Sequence, residues 1–116
     1  MLKLSANLSL LFRERPLLER FAAARAAGFG AAEIQIPYEA PAAAIARASS
    51  EANLPVVLIN APLGPDPSSP GMACRPEHFR GEREVLGRVG SRPLLETINP
   101  HDVPGYCVAS FELATQ

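Results

Sequence analysis

The feature that most constrains this chain is a change of hydrophobic period, repeated through the first sixty residues. Leu2, Leu4, Ala6, Leu8 and Leu10 share one parity, with Lys3, Ser5, Asn7 and Ser9 on the other, which is a strand period. Arg13-Glu14-Arg15-Pro16 breaks that strand. Leu17, Phe21 and Ala24 then recur at helical spacing, with Leu18 and Ala22 alongside, and the alanines of this stretch favour a helix intrinsically. The helix is predicted from Leu17 to Ala27. Gly28 ends it, because a left-handed C-terminal residue costs glycine little, and Phe29 folds back on the last turn.

The pattern then repeats. Ala31 to Ile36 reads as a short strand with Ile34 and Ile36 on one face, and Pro37 stops it. Pro41 suits the first turn of a second helix, where a missing N–H does no harm. That helix runs to about Ala52, with Ile45 and Ala48 inward and Asn53 capping its end. Pro55-Val56-Val57-Leu58-Ile59 is a continuous aliphatic run, the signature of a strand covered on both faces, and Asn60 marks its end. Strand, helix, strand, helix, strand predicts a parallel sheet with helical crossovers. Polar residues recur where those strands end: Asn7 and Ser9, Gln35 and Tyr38, and Asn60. The C-terminal edge of a parallel sheet is where α/β folds bind ligands.

The rest of the chain is less periodic. Residues 61–76 form a proline-rich loop. Glu77 to about Val89 reads as a weaker third helix, interrupted by Gly81 and Gly87, within a junction spanning 77–92. After Pro93, Leu94-Leu95-Glu96-Thr97-Ile98 is a short apolar strand that delivers one acid. The turn Asn99-Pro100-His101-Asp102-Val103-Pro104-Gly105 follows it. Ser110 is placed to cap a last, short helix. Most of the twelve prolines fall at element boundaries or in loops, so they punctuate a fold and do not form a recognition repeat. By length, 1–116 is one domain.

Charge excludes several functions. A net charge of −1, with acids and bases interleaved, selects neither nucleic acid nor an anionic membrane. Arg75, Arg80, Arg83, Arg88 and Arg92 alternate with Glu77, Glu82 and Glu84, as on a solvated helix face. No apolar run approaches the roughly 20 residues of a membrane helix, and no signal peptide is read at the N-terminus. Cys74 and Cys107 therefore read as reduced thiols of a cytoplasmic chain.

Four short segments, in this order, resemble the hydroxypyruvate isomerase family of xylose-isomerase-like (β/α)8 barrels. They are Ser5-Ala6-Asn7-Leu8-Ser9 with Leu11-Phe12, then Gly28-Phe29 through Ala32-Glu33 to Pro37-Tyr38. The others are Leu58-Ile59-Asn60-Ala61-Pro62 with Gly71-Met72-Ala73-Cys74, and Leu95-Glu96-Thr97-Ile98-Asn99 with Asp102-Val103-Pro104-Gly105-Tyr106. The resemblance implies an α/β fold, here a partial TIM-barrel-like domain with an open parallel sheet of about four strands. It implies interconversion of hydroxypyruvate, a small hydroxy-oxo acid, with 2-hydroxy-3-oxopropanoate through an enediol, assisted by Mg²⁺ or Mn²⁺. Glu96 matches the family's Glu-Pro-Ile-Asn segment as catalytic group and metal ligand, with Thr97 in place of the proline. Asn7, Tyr38 and Asn60 match as substrate-binding residues. Between Arg83 and Pro93 the family has a strand and a further helix where this chain has nine residues, and it carries three more strands beyond the point matching Gln116. A closed barrel takes about 250 residues. The expectation is therefore an internally deleted, C-terminally truncated relative with weak or no activity, and exposed sheet edges suited to self-association.

Two other readings stand beside it. One is a non-catalytic fragment or interaction module. The other is a zinc module built from Cys74, His78, His101 and Cys107, whose ligand types suit Zn²⁺ though their spacing is loose. His101 and Asp102 are adjacent in a proline-bounded turn, so Asp102 is expected to serve the turn.

Overall fold

A computed structural model describes residues 2–62, 87–88, 90–92, 94–99, 101–102, 104, 106, 108 and 110. The chain divides into two compact units, Met1–Asn60 and Ala61–Gln116. The first contains β1 (Ser5–Asn7), α1 (Leu17–Ala26), β2 (Ala31–Ile34), a 3-10 turn at Pro37–Glu39, α2 (Ala42–Glu51) and β3 (Val56–Ile59). The strands form one parallel sheet in the order β1-β2-β3. Ala6 stands opposite Ala32, and Ala32 opposite Val56, before an irregularity at Ala32/Glu33 shifts the β2–β3 register. The sheet is the one expected from the alternation of periods. Among the described residues no helix is long and apolar enough to cross a membrane.

One face of this sheet makes the core. Ala6, Leu8, Ala32 and Ile34 pack with Leu17, Phe21 and Ala24 of α1, Ile45 of α2, and Leu54. Phe21, Leu8, Ile34 and Leu54 are the largest fully buried side chains. Alanines at Ala6, Ala24 and Ala32 let the helices approach the sheet closely, so one phenylalanine fills the remaining space.

Both helices end in the same way. At α1, Gly28 N–H donates to the carbonyl of Arg25 and Phe29 N–H to that of Ala24, with Gly28 at φ +93. At α2, Asn53 N–H donates to Ser50 and Leu54 N–H to Ser49, with Asn53 at φ +49. Each is a Schellman closure with a left-handed residue, and each folds the next apolar residue back toward the core. Both terminators are those read from the sequence. Pro41 sits one place earlier than expected, as the N-cap of α2, and Pro16 holds the same position at α1.

Three expectations about burial are corrected. The alternation from Leu2 to Leu10 overstates β1: Leu2, Leu4 and Leu10 are exposed, and only Ala6 and Leu8 are buried. Beyond Asn7 the chain turns, with the N–H groups of Leu10 and Leu11 both donating to the Asn7 carbonyl, so strand parity no longer applies. Likewise β2 ends at Ile34, and Ile36 is exposed. Finally, β3 is not covered on both faces. Val56 packs against the core, but Val57 is 60% and Ile59 53% exposed. An aliphatic run reports fitness for burial, and burial itself needs a neighbouring layer.

The second unit is described in part. Gly87 and Arg88 are helical, and the rest of the helix expected over 77–89 lies outside the described residues apart from these two, as do most of the 61–76 loop and the final helix. The strand expected at Leu94–Ile98 is not formed. Ile98 N–H donates to the Val108 carbonyl at 3.2 Å, but among the described residues no ladder extends from that bond. The following turn is built by Asn99. Its Oδ1 accepts from the N–H groups of His101 (2.9 Å) and Asp102 (3.0 Å), and its Nδ2 donates to the Asp102 carboxylate. Asp102 thus serves the turn as expected.

Candidate functional site

The C-terminal ends of β1 and β2 are held together by polar side chains. Asn7 Oδ1 accepts the N–H of Ser9 at 3.0 Å, which folds the chain immediately after β1. Ser9 Oγ in turn accepts the Gln35 N–H at 2.9 Å, just past the end of β2. Arg20 reaches back from α1 and donates from Nη1 to the Leu8 carbonyl and from Nε to the Arg15 carbonyl, both at 2.8 Å. The two βα loops are therefore fixed by three side chains, each using hydrogen-bonding capacity that the turning backbone leaves unmet.

Beside this junction lies a cavity of about 250 Å³ lined by Ser9, Arg13, Leu17, Arg20, Gln35, Ile36 and Glu39. Its lining is mixed in charge. Arg20 is committed to two backbone carbonyls, so Arg13 and Glu39 carry the cavity's remaining charge. Such a cleft can take a small polar molecule, but it gathers no acid–base pair.

The residues expected to bind substrate are placed as follows. Asn7 is half-buried at the end of β1, with its amide oxygen occupied by Ser9. Tyr38 lies in the 3-10 turn, and its hydroxyl donates to the Asn60 backbone carbonyl at 2.9 Å. The fold thus brings Tyr38 and Asn60 together, at the ends of β2 and β3. Asn60 contributes its backbone to that bond. Sequence reasoning gave no role to Arg20 or to the half-buried acid Glu33, which stands directly opposite Asn7. The signal for Glu33 was its parity with Gln35, away from the buried face.

Glu96 belongs to the second unit and is exposed. Tyr106 accompanies it, donating from its hydroxyl to the Glu96 carbonyl at 3.4 Å. Burial, and then the Glu96 charge, push the Tyr106 phenol above its ordinary range. Among the described residues no three His, Cys, Asp or Glu converge as metal ligands. Of the four residues of the zinc reading, Cys74, His78 and Cys107 lie outside the described residues, and His101 is exposed in its turn.

A parallel sheet whose strands alternate with helices on one packed face, and whose strand ends carry the polar side chains, defines a TIM-barrel-like α/β protein. A solved structure bears this out. The chain is similar to an AP endonuclease, family 2, from Brucella melitensis, with a TM-score of 0.76 and 27% identity, over 99% of this chain and 64% of that one. The resemblance to the hydroxypyruvate isomerase family is shown by sequence as well. A protein bearing the hydroxypyruvate isomerase name in Caenorhabditis elegans is 47% identical over 62 residues, 53% of this chain and 24% of that protein. The 2-oxo-tetronate isomerase of Cupriavidus necator is 41% identical over 88 residues, 74% of this chain and 34% of the enzyme. The chain thus spans about a quarter to a third of the length of these relatives. No family model matches it.

Proposed function

We propose that this chain carries the opening strand–helix units of an isomerase of short hydroxy-oxo acids, with hydroxypyruvate as substrate. The observation that carries the reading is the identity of about one residue in two, across some sixty residues, to proteins named as isomerases of such acids. In the proposed reaction a carboxylate takes a proton from the hydroxymethyl carbon of hydroxypyruvate, giving an enediol. A proton returns to the former carbonyl carbon, and the hydroxyl proton passes between the two oxygens. Substrate and product therefore have the same composition. Glu96 is the group assigned to carry the carbon-bound proton, and Asn7, Tyr38 and Asn60 to surround the substrate.

A divalent cation, Mg²⁺ or Mn²⁺, belongs to the chemistry that the resemblance implies. The described residues do not fit it as a resident ion: no three of their His, Cys, Asp or Glu side chains converge, and a tightly held catalytic ion takes about three protein ligands. Activity of these residues would require further ligands from elsewhere.

The exposed aliphatic face of β3 supports a second reading, a non-catalytic module that associates with itself. Val57, Leu58 and Ile59 stand at a sheet edge among the described residues, and unpaired parallel edges favour association. One experiment separates the two. Purified protein is assayed for hydroxypyruvate isomerisation with added Mg²⁺ or Mn²⁺, beside Glu96→Gln. Activity lost in the variant supports the isomerase; no activity in either protein, together with a concentration-dependent mass, supports the module.

A further inference from the structure

The cavity of about 250 Å³ beside the ends of β1 and β2 carries two opposite charges that do not meet. Arg13 joins its lining from the loop after β1, and Glu39 from the 3-10 turn after β2. Among the described residues neither side chain makes an ion pair or a hydrogen bond, with the other or with any third group. The charges nearby are already engaged. Glu14 is paired with Arg15 at 3.5 Å, and Arg20 donates to the Leu8 and Arg15 carbonyls.

The loops that present Arg13 and Glu39 are fixed. Arg15 N–H donates to the Phe12 carbonyl at 3.0 Å and closes a turn with Arg13 at its second position. Phe12 enters that turn at φ +58, a left-handed conformation that a bulky residue seldom keeps, and residues of this kind gather at ligand sites. Glu39 ends the 3-10 turn whose Tyr38 hydroxyl donates to the Asn60 carbonyl. Ser9 Oγ ties one loop to the other by accepting the Gln35 N–H. The lining also includes Leu17 and Ile36, the latter 58% exposed, so an aliphatic surface accompanies the two charges.

We propose that this cavity binds a small aliphatic α-amino acid as its zwitterion. The ligand's carboxylate pairs with the Arg13 guanidinium, its ammonium with the Glu39 carboxylate, and its side chain lies against Leu17 and Ile36. A simple anion would be drawn by Arg13 and opposed by Glu39, and a simple cation the reverse; a zwitterion gains from both. The volume falls below the roughly 300–1,000 Å³ of clefts that take drug-sized ligands, which suits a molecule of few heavy atoms. The proposal does not rest on the isomerase reading: Asn7, Tyr38, Asn60 and Glu96 are all absent from this lining.

The test is an amide-resolved NMR titration of the whole 116-residue chain near neutral pH. The probes are L-valine, L-valinamide, which lacks the carboxylate, and 2-hydroxy-3-methylbutanoate, which replaces the ammonium with a hydroxyl. The expected result is saturable shifts at the Arg13, Gln35 and Glu39 amides, with valine bound about tenfold more tightly than either analogue, because each analogue forgoes one charge-assisted bond. Arg13→Gln should lower the affinity for valine to that for valinamide, and Glu39→Gln should lower it to that for the hydroxy acid. Both positions are exposed, so each variant should keep the spectral dispersion of the unsubstituted chain. No saturable shift at these amides, valine bound no more tightly than either analogue, or a preference that survives both substitutions overturns the proposal.

Discussion

Replacing Phe21 with alanine should remove most of the stability of the first unit. Phe21 is fully buried and is packed among Ala6, Leu8, Ala24, Ala32, Ile34, Ile45 and Leu54. Truncating a buried phenylalanine costs about 3–5 kcal/mol through lost burial and the cavity left behind. Ala6, Ala24 and Ala32 in the same cluster have no longer side chains with which to fill the space a truncated Phe21 would leave. A domain of sixty residues holds roughly 3–9 kcal/mol in total. The assay is urea denaturation followed by far-ultraviolet circular dichroism, with Leu10→Ala as a control at an exposed leucine. With a slope near 1 kcal/mol per molar urea for a unit of this size, the midpoint should fall by about 3 M, or the unit should be unfolded without urea. Leu10→Ala should change stability by less than about 0.5 kcal/mol. A loss below about 1 kcal/mol in Phe21→Ala would refute the assignment of this cluster as the core.

Further outcomes follow from the same geometry. Gly28→Ala should cost about 1–2 kcal/mol in a thermal melt, because φ +93 disfavours a Cβ even though nothing crowds the position, whereas Asn53→Gly should be neutral or slightly stabilising. Arg20→Met should cost about 1.5–3 kcal/mol by freeing the Leu8 and Arg15 carbonyls, and Arg20→Lys should not restore both bonds. Spectrophotometric titration of Tyr106, in a Tyr38→Phe background, should show ionisation above the ordinary phenol range, moved down by Glu96→Gln. The unfolded chain gives up that proton first, so this group's contribution to stability is intact below the ordinary tyrosine pKa and is lost as pH rises through the folded value. Val57→Lys with Ile59→Lys should abolish any concentration-dependent mass seen by sedimentation, if the β3 face is what associates.

The parallel sheet was legible in the sequence because the change of period and its punctuation are local. Gly28 and Asn53 end helices through their own backbone freedom, and Pro16 and Pro41 begin them through a fixed φ and a missing donor. Phe21, Ala24, Ile34 and Ile45 could be placed inward for the same reason, since helical and strand periods are properties of neighbouring residues. The polar strand ends were equally visible, although the partners they find were not.

What only the tertiary structure decided is where each periodic pattern stops mattering. Leu10, Ile36, Val57 and Ile59 look as apolar in sequence as Leu8 and Ile34, yet they are exposed, because among the described residues no second layer meets them. The apolar run at Leu94–Ile98 reads as a strand and is not one, since a ladder needs a partner that residues on one segment cannot specify. Glu33 was given no role from the sequence, being one acid in a short alternating run. The register across β1 and β2 sets it beside Asn7, where no ion pair or hydrogen bond among the described residues meets its carboxylate. Local pattern dictates which elements form; pairing and layering, which join residues far apart in the chain, dictate which side chains are buried and which are left to meet a ligand.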